Sequence, residues 1–229
     1  MANRPPLAIG EWYHCYNRGV DKRRVFHNKE YYERFLFLLY IANRTERVHT
    51  SHLKSTRLAE VLADTTLDNY EPLVEIGAYT LMPNHLHIAV REIRDGGIAT
   101  FMQKVFTGYT MYFNKRHERT GSLFASTYKS KHVDDDRYMK QLIHYIHLNP
   151  VEIIEPRWKE GKGNIKKIEK WLLTYPYSSL PDFSTDRPEK KILGTTVFEL
   201  FDKIPSVQEM LEEAQEYYQS AEVKPRRKE

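Results

Sequence analysis

The sequence predicts an α+β protein: a ferredoxin-like antiparallel sheet with helices on one face, one tyrosine-bearing helix after the last strand, and a helical C-terminal extension. Three observations predict it. Apolar periodicity orders the elements as strand, helix, strand, strand, helix, strand, helix. The two middle strands are joined at Met82-Pro83-Asn84, a turn-forming triplet, so two βαβ-like halves surround an antiparallel pair. The chain has 229 residues and 41% hydrophobic content, which suits one domain with a real core, or one domain plus an appendage.

Glu11–Arg18 alternates as a first strand, and Asn17-Arg18-Gly19 with Asp21-Lys22 makes a donor-rich turn. Glu30–Ala42 is helical, with Phe35, Leu38, Leu39 and Ala42 on one face. Residues 43–72 are polar, with a short helix at Arg57–Ala63. Val74–Leu81 and Leu86–Arg91 are the central strands. Ile98–Lys115 is a second long helix, its core face marked by Phe101, Val105, Tyr109 and Tyr112, and Leu123–Val133 supplies a last strand. Asp135–Asn149 is a helix with an aspartate cap at its start. Pro150 marks its end, because proline disfavours helix in the residue before it. Thr196-Val197-Phe198-Glu199 and Ser206-Val207-Gln208-Glu209 both match a capping box, predicting helices near 196–203 and 206–220. The tail 224–229 is expected to be disordered. The domain reading is a main unit over 1–182 and an accessory extension over 183–229.

Two segments carry chemistry. His85 and His87 sit at the start of a strand, where residues i and i+2 share a face and Leu86 turns to the core. Side by side, two imidazoles can hold one divalent metal in an open, incomplete site. They can equally be polar surface or satisfied hydrogen-bonding groups. In the later helix, Met139, Leu142 and Ile146 form an apolar stripe, and Gln141, Tyr145 and Asn149 form a polar stripe beside it. That stripe offers a phenol nucleophile and an amide oxygen able to ligate a metal. Tyr138, seven residues before Tyr145, is its rival. Helical phase turns His144 and His147 away from Tyr145, towards packing or surface roles. His14, a strand residue beside the donor-rich turn, is either a ligand contact or a core histidine. The single cysteine, Cys15, excludes an internal disulfide.

Net charge is +4, and its distribution is uneven. Residues 13–34 hold six Lys/Arg against three acids, and residues 101–140 hold eight against four. Residues 199–222 reverse this, with seven acids and one lysine. A basic core suits a protein that meets phosphates on one face. No transmembrane run or secretory leader is visible, so a cytoplasmic setting is expected.

The set MPNHLH (Met82–His87), a basic segment, and YIHLNPV (Tyr145–Val151) resembles the single-tyrosine transposases of the HUH superfamily, and is most similar to their REP-associated tyrosine transposase branch. Tyr13–Val20, Gly121–Phe124 with Tyr128–Ser130, and Tyr175–Ser179 agree with it, so the resemblance spans roughly residues 10–182. It implies metal-binding histidines at His85 and His87, a nucleophile at Tyr145, and a third ligand at Asn149, where some relatives carry glutamine. It also implies a magnesium or manganese ion and single-stranded hairpin DNA as partner. Cleavage would leave a 5′-phosphotyrosine link and a free 3′-hydroxyl. Arg18, Lys22, Arg23, Arg24, Lys129 and Lys131 would bind the DNA. Other readings are a replication or relaxase-type nickase, a domesticated non-catalytic hairpin binder, and a small-phosphoester hydrolase. Whether the chain acts as monomer or homodimer is left open.

Overall fold

The computed structural model describes residues 7–46, 48–160, 163–201 and 205–222. Its centre is a four-stranded antiparallel sheet made of β1 (Trp12–Arg18), β2 (Val74–Met82), β3 (His85–Glu92) and β4 (Lys129–Val133), in the order β2-β3-β1-β4. The helices are α1 (Lys29–Ala42), α2 (Leu58–Ala63), α3 (Gly97–Arg116), α4 (Asp136–Leu148), α5 (Val151–Ile154), α6 (Ile165–Leu172), α7 (Thr196–Glu199) and α8 (Val207–Glu222). The predicted ferredoxin-like order is the one observed.

Alternation along the strands divides the sheet into two faces. Tyr13 and Cys15 of β1 and Leu86, Ile88 and Val90 of β3 point into the main core with α1 and α3. These two crossover helices share one face, as the sequence order requires. Ala78, Ala89 and Val133 point the other way, onto Met139, Leu142, Ile143 and Ile146 of α4. The apolar stripe thus seats α4 on the opposite face, and its hydrophobic burial fixes the direction of the polar stripe. Gly77, at a register shift between Ile76 and Ala78, allows this seating. A Cβ there would come within 2.8 Å of the Trp12 ring and 3.1 Å of Met139.

Several expectations are corrected. β4 begins at Lys129, not Leu123. Leu123 and Phe124 alternate like a strand, but Phe124 packs on Phe106 with ring centroids 4.6 Å apart. The side-chain amide of Asn17 then donates to the carbonyls of Ser126 and Thr127 and holds the chain as a loop. Pro150 does not stop the helical path. Asn149 keeps helical φ/ψ, its N–H still reaches the Tyr145 carbonyl at 3.1 Å, and α5 follows directly. The capping box at Ser206 forms, with reciprocal bonds to Glu209. The one at Thr196 does not, because Glu75 of β2 takes both the N–H and the hydroxyl of Thr196. The expected tail at 224–229 lies outside the described residues.

The edge of β2 is covered. Leu81 N–H donates to the Tyr177 carbonyl, Ser179 N–H donates to the Tyr79 carbonyl, and Gly194 N–H donates to the Ile76 carbonyl. The C-terminal elements pack on α4 and its continuation. Val197 and Phe198 join the cluster of Ile143 and Ile146, while Met210 and Leu211 join Leu148, Val151 and Trp158. No helix among the described residues is long and apolar enough to cross a membrane.

Candidate functional site

The site lies where α4 crosses the polar half of its sheet face. β1 contributes His14, Tyr16 and Arg18 to that face, β3 contributes His85 and His87, and β4 contributes Lys129 and Lys131. Cross-strand register sets Tyr16 opposite both His87 and Lys129, Arg18 opposite His85, and His14 opposite Lys131. Above them, Gln141, Tyr145 and Asn149 of α4 form one wall of a cleft of about 540 Å³. Met210 and Glu213 of α8 also line it.

The two strand histidines are held by their neighbours. His87 Nδ1 lies 2.8 Å from His14 Nε2, a bond between two buried imidazoles. His85 Nδ1 lies 2.6 Å from the Asn84 side-chain oxygen. In each ring Nδ1 is engaged, which leaves Nε2 for another partner. Asn149, one turn after Tyr145, lies close enough to His85 to favour its charged form. The Asn149 amide nitrogen donates to the Tyr145 carbonyl at 3.0 Å, which leaves the amide oxygen outside that bond. The ring planes of His85 and His87 are nearly perpendicular, with centroids 5.2 Å apart.

Tyr145 stands edge-on to the histidines, its ring 5.2 Å from His87 and 5.9 Å from His14. It is 40% exposed, open to the cleft. Tyr138 is placed differently. Its ring lies 4.7 Å under the Lys131 ammonium and, unlike Tyr145, makes no ring contact with a histidine among the described residues. The polar-stripe phase therefore brings Tyr145, and not its rival, to the histidines.

Burial disfavours charging any of these imidazoles. It pushes the His87 pKa down to about 2, assisted by His14, His85 and Arg18. It pushes His14 down to about 4, assisted by Lys131. His85 is also lowered, first by burial and then by Arg18. All three are neutral at pH 7, the state in which imidazole nitrogen can ligate a metal. Among the described residues no group of three His, Cys, Asp or Glu side chains is placed to hold a metal. The neutral donors that could hold an ion here are the His85 and His87 imidazoles with the Asn149 amide oxygen.

Lys131 lines the cleft, and the other basic residues lie on β1, β4 and the β1–α1 turn beside the histidine strand. Lys22, Arg23 and Arg24 are exposed on the β1–α1 turn. Asn84 pins that turn beside the histidines by donating its side-chain amide to the Lys22 carbonyl at 3.1 Å. Pro83 adds a carbonyl that accepts from Val25 and Phe26.

The sequence profile of IS200-like transposases matches residues 13–149, the span that runs from β1 to the end of α4. The chain belongs to the IS200-like transposase family. A solved structure of a REP-associated tyrosine transposase bound to a REP hairpin shares its fold, with a TM-score of 0.50. That match covers 90% of this chain and 99% of the other at 14% identity. No curated protein matches this transposase. Membership makes the chain a DNA transposase, from a family that generally depends on a divalent metal.

Two features of this transposase's site were not foreseen from sequence. His14 is the buried partner of His87, a diagonal contact that appears only once the β1–β3 register is known. The C-terminal extension enters the cleft: Glu213 lies 3.4 Å from His144. His147 is fully buried and bonded to the Ser179 hydroxyl at 2.9 Å, a packing role as its helical phase indicated.

Proposed function

We propose that this transposase cleaves and rejoins single-stranded hairpin DNA, with Tyr145 as nucleophile and His85, His87 and Asn149 as the holders of a magnesium or manganese ion. The observation that carries the reading is the convergence of Tyr145, His87 and Asn149 in one cleft, with the His85 ring 5.2 Å from that of His87.

Tyr145 Oη would attack the phosphorus. An Oη–P bond forms and the P–O3′ bond breaks, leaving a 5′-phosphotyrosine. The departing 3′-oxygen takes a proton and becomes a hydroxyl, and the phenol proton passes to solvent. The covalent link keeps the energy of the phosphodiester, so attack by a 3′-hydroxyl restores a DNA strand without an outside energy source. A divalent ion, when bound, would neutralise the non-bridging oxygens and favour the phenolate. The protein's own share is positional. His14 and Asn84 fix the two imidazoles, Asn149 bonds the carbonyl of the residue it serves, and α4 is seated by its apolar stripe. Arg18, Lys22, Arg23, Arg24, Lys129 and Lys131 would take phosphates. The solved transposase of the same fold is bound to a REP hairpin, which supports a hairpin as substrate here. Residues 183–229 would serve as an accessory to the 1–182 unit.

The test is incubation with end-labelled single-stranded hairpin DNA and magnesium or manganese, followed by denaturing electrophoresis. A labelled, protease-sensitive adduct is expected. Cleavage without any adduct would make water the nucleophile and favour a hydrolase.

A further inference from the structure

A second surface, away from the cleft, has the make-up of a nucleic-acid contact. It lies where the start of α1 meets the end of α3. Four rings gather there. His117 stacks on Phe113 with centroids 4.3 Å apart and planes 25° apart. His27 lies 5.0 Å from His117, 5.4 Å from Phe113 and 5.3 Å from Tyr31. The Tyr31 hydroxyl and His117 Nε2 are bonded at 2.8 Å. Tyr31 and Phe113 are buried and lock α1 to α3, while His27 and His117 are exposed on top of them. The two outer imidazoles are not needed to close the core, yet they are held in place by it.

Cations ring this platform. The Arg116 guanidinium lies 5.6 Å over the Tyr31 ring, and that of Arg119 lies 5.9 Å over Phe113. The Arg24 backbone carbonyl accepts from His27 Nε2 at 3.3 Å and helps hold that ring. Glu30 pairs with Arg116 at 2.8 Å. The His117 pKa is lowered, by desolvation first and then by His27, Arg116 and Arg119. A neutral imidazole face bordered by guanidinium groups stacks on a base while its neighbours reach phosphate. A duplex hides its base faces, so the fitting ligand is an unpaired base.

The platform is also tied to the cleft. The β1–α1 turn runs from Arg18, opposite His85, through Lys22 and Arg24 to His27. Arg119 donates to the Ser122 carbonyl, and the next residues bond back to the end of β1: Val20 N–H to the Leu123 carbonyl, and Ala125 N–H to the Arg18 carbonyl. One basic edge thus joins the two places.

We propose that the His27–His117 platform stacks an unpaired base of the DNA substrate's single-stranded extension, with Arg116 and Arg119 on the adjacent phosphates. The proposal rests on the reading of the chain as a single-strand DNA transposase.

The test compares a hairpin carrying a single-stranded extension with the same hairpin blunt, by fluorescence anisotropy. The full chain is used, with a His27→Ala/His117→Ala variant and a His27→Phe/His117→Phe variant. The wild type should bind the extended hairpin more tightly, by about tenfold for one stacked base. The Ala variant should lose that ratio while binding the blunt hairpin as the wild type does, and the Phe variant should keep the ratio because it keeps two ring faces. Equal binding of both DNAs by the wild type, or an unchanged ratio in the Ala variant, overturns the platform alone. A Phe variant that folds, by circular dichroism, but loses the ratio also overturns stacking and points to ionic or metal contacts by the imidazoles. Failure of the wild type to bind either DNA overturns the DNA reading itself.

Discussion

Replacing Tyr145 by phenylalanine tests the assignment of the nucleophile with little structural disturbance. The substitution removes one oxygen and keeps the ring. That ring is 40% exposed, and among the described residues its hydroxyl makes no hydrogen bond. No buried partner is orphaned, so the change in stability should stay within about 0.5 kcal/mol. The edge contacts to His87 and His14 involve the ring and survive. Asn149 is bonded to the Tyr145 carbonyl, which every residue supplies, so the amide stays in place. Against this small structural change stands complete loss of the attacking atom. Covalent adduct and strand cleavage should both fall below detection, while hairpin affinity stays within about twofold, since about 0.4 kcal/mol is a factor of two. The assay is the denaturing gel with labelled hairpin DNA, beside a mobility-shift titration and a thermal melt. Tyr138→Phe is the control. It keeps the ring under Lys131 and loses only the hydroxyl's interaction with that ammonium, so cleavage should persist. An adduct that survives in Tyr145→Phe and disappears in Tyr138→Phe would refute the polar-stripe reasoning. Normal cleavage in both would remove tyrosine from the chemistry.

Three further outcomes are expected. His14→Phe should weaken manganese binding by about 10–100-fold in calorimetry, because an outer partner orients the His87 ring; unchanged affinity would make the bond between them incidental. Asn43→Ala should cost about 2–4 kcal/mol in urea melts, since its buried amide bonds the N–H groups of Leu73 and Val74 and the Val74 carbonyl at the start of β2; a loss under about 1 kcal/mol would mean that water replaces it. Stability should also fall on mild acidification. Burial holds His147 at about 3, whereas an unfolded histidine titrates near 6.5, so below pH 6.5 the unfolded chain takes up a proton that the folded chain refuses. Each such group costs up to about 1.4 kcal/mol per pH unit between the two values, and His147→Gln should flatten the loss between pH 7 and 5 by up to about 2 kcal/mol. Parallel curves for variant and wild type would place the acid sensitivity elsewhere.

The sequence made legible whatever depends on one element's own periodicity. The face of α4 follows from Met139, Leu142 and Ile146, and with it the direction of Tyr145. The pairing of His85 with His87 follows from the two-residue period of a strand. What escaped depends on neighbours distant in the chain. His14 meets His87 diagonally across two strands 73 residues apart, so its role needs the register and not the local pattern. Leu123 and Phe124 carry a strand's alternation, yet the Phe106 ring and the Asn17 amide claim that stretch for a loop. Thr196 has the sequence of a cap and instead bonds to Glu75, 121 residues earlier. The entry of Met210 and Glu213 into the cleft is likewise a docking event that α8's own amphipathic pattern does not specify.

The strip from Tyr175 to Ser179 agrees with the family resemblance but does not line the cleft. Its contact with β2 supplies a reason for those residues to be there. A bare strand at the margin of a sheet is a template on which another chain can lay its own backbone. Here Tyr177 and Ser179 occupy the backbone groups of Tyr79 and Leu81, the Tyr175 hydroxyl takes the Leu81 carbonyl at 2.7 Å, and the Ser179 hydroxyl accepts from the Tyr79 N–H at 2.9 Å. The opposite margin, β4, is only five residues long and carries Lys129 and Lys131, whose charges discourage stacking of identical copies. The consequence concerns solubility rather than catalysis. A chain cut after residue 174 would keep His85, His87, Tyr145 and Asn149, yet expose an apolar, unpaired strand, and it should accumulate as aggregate.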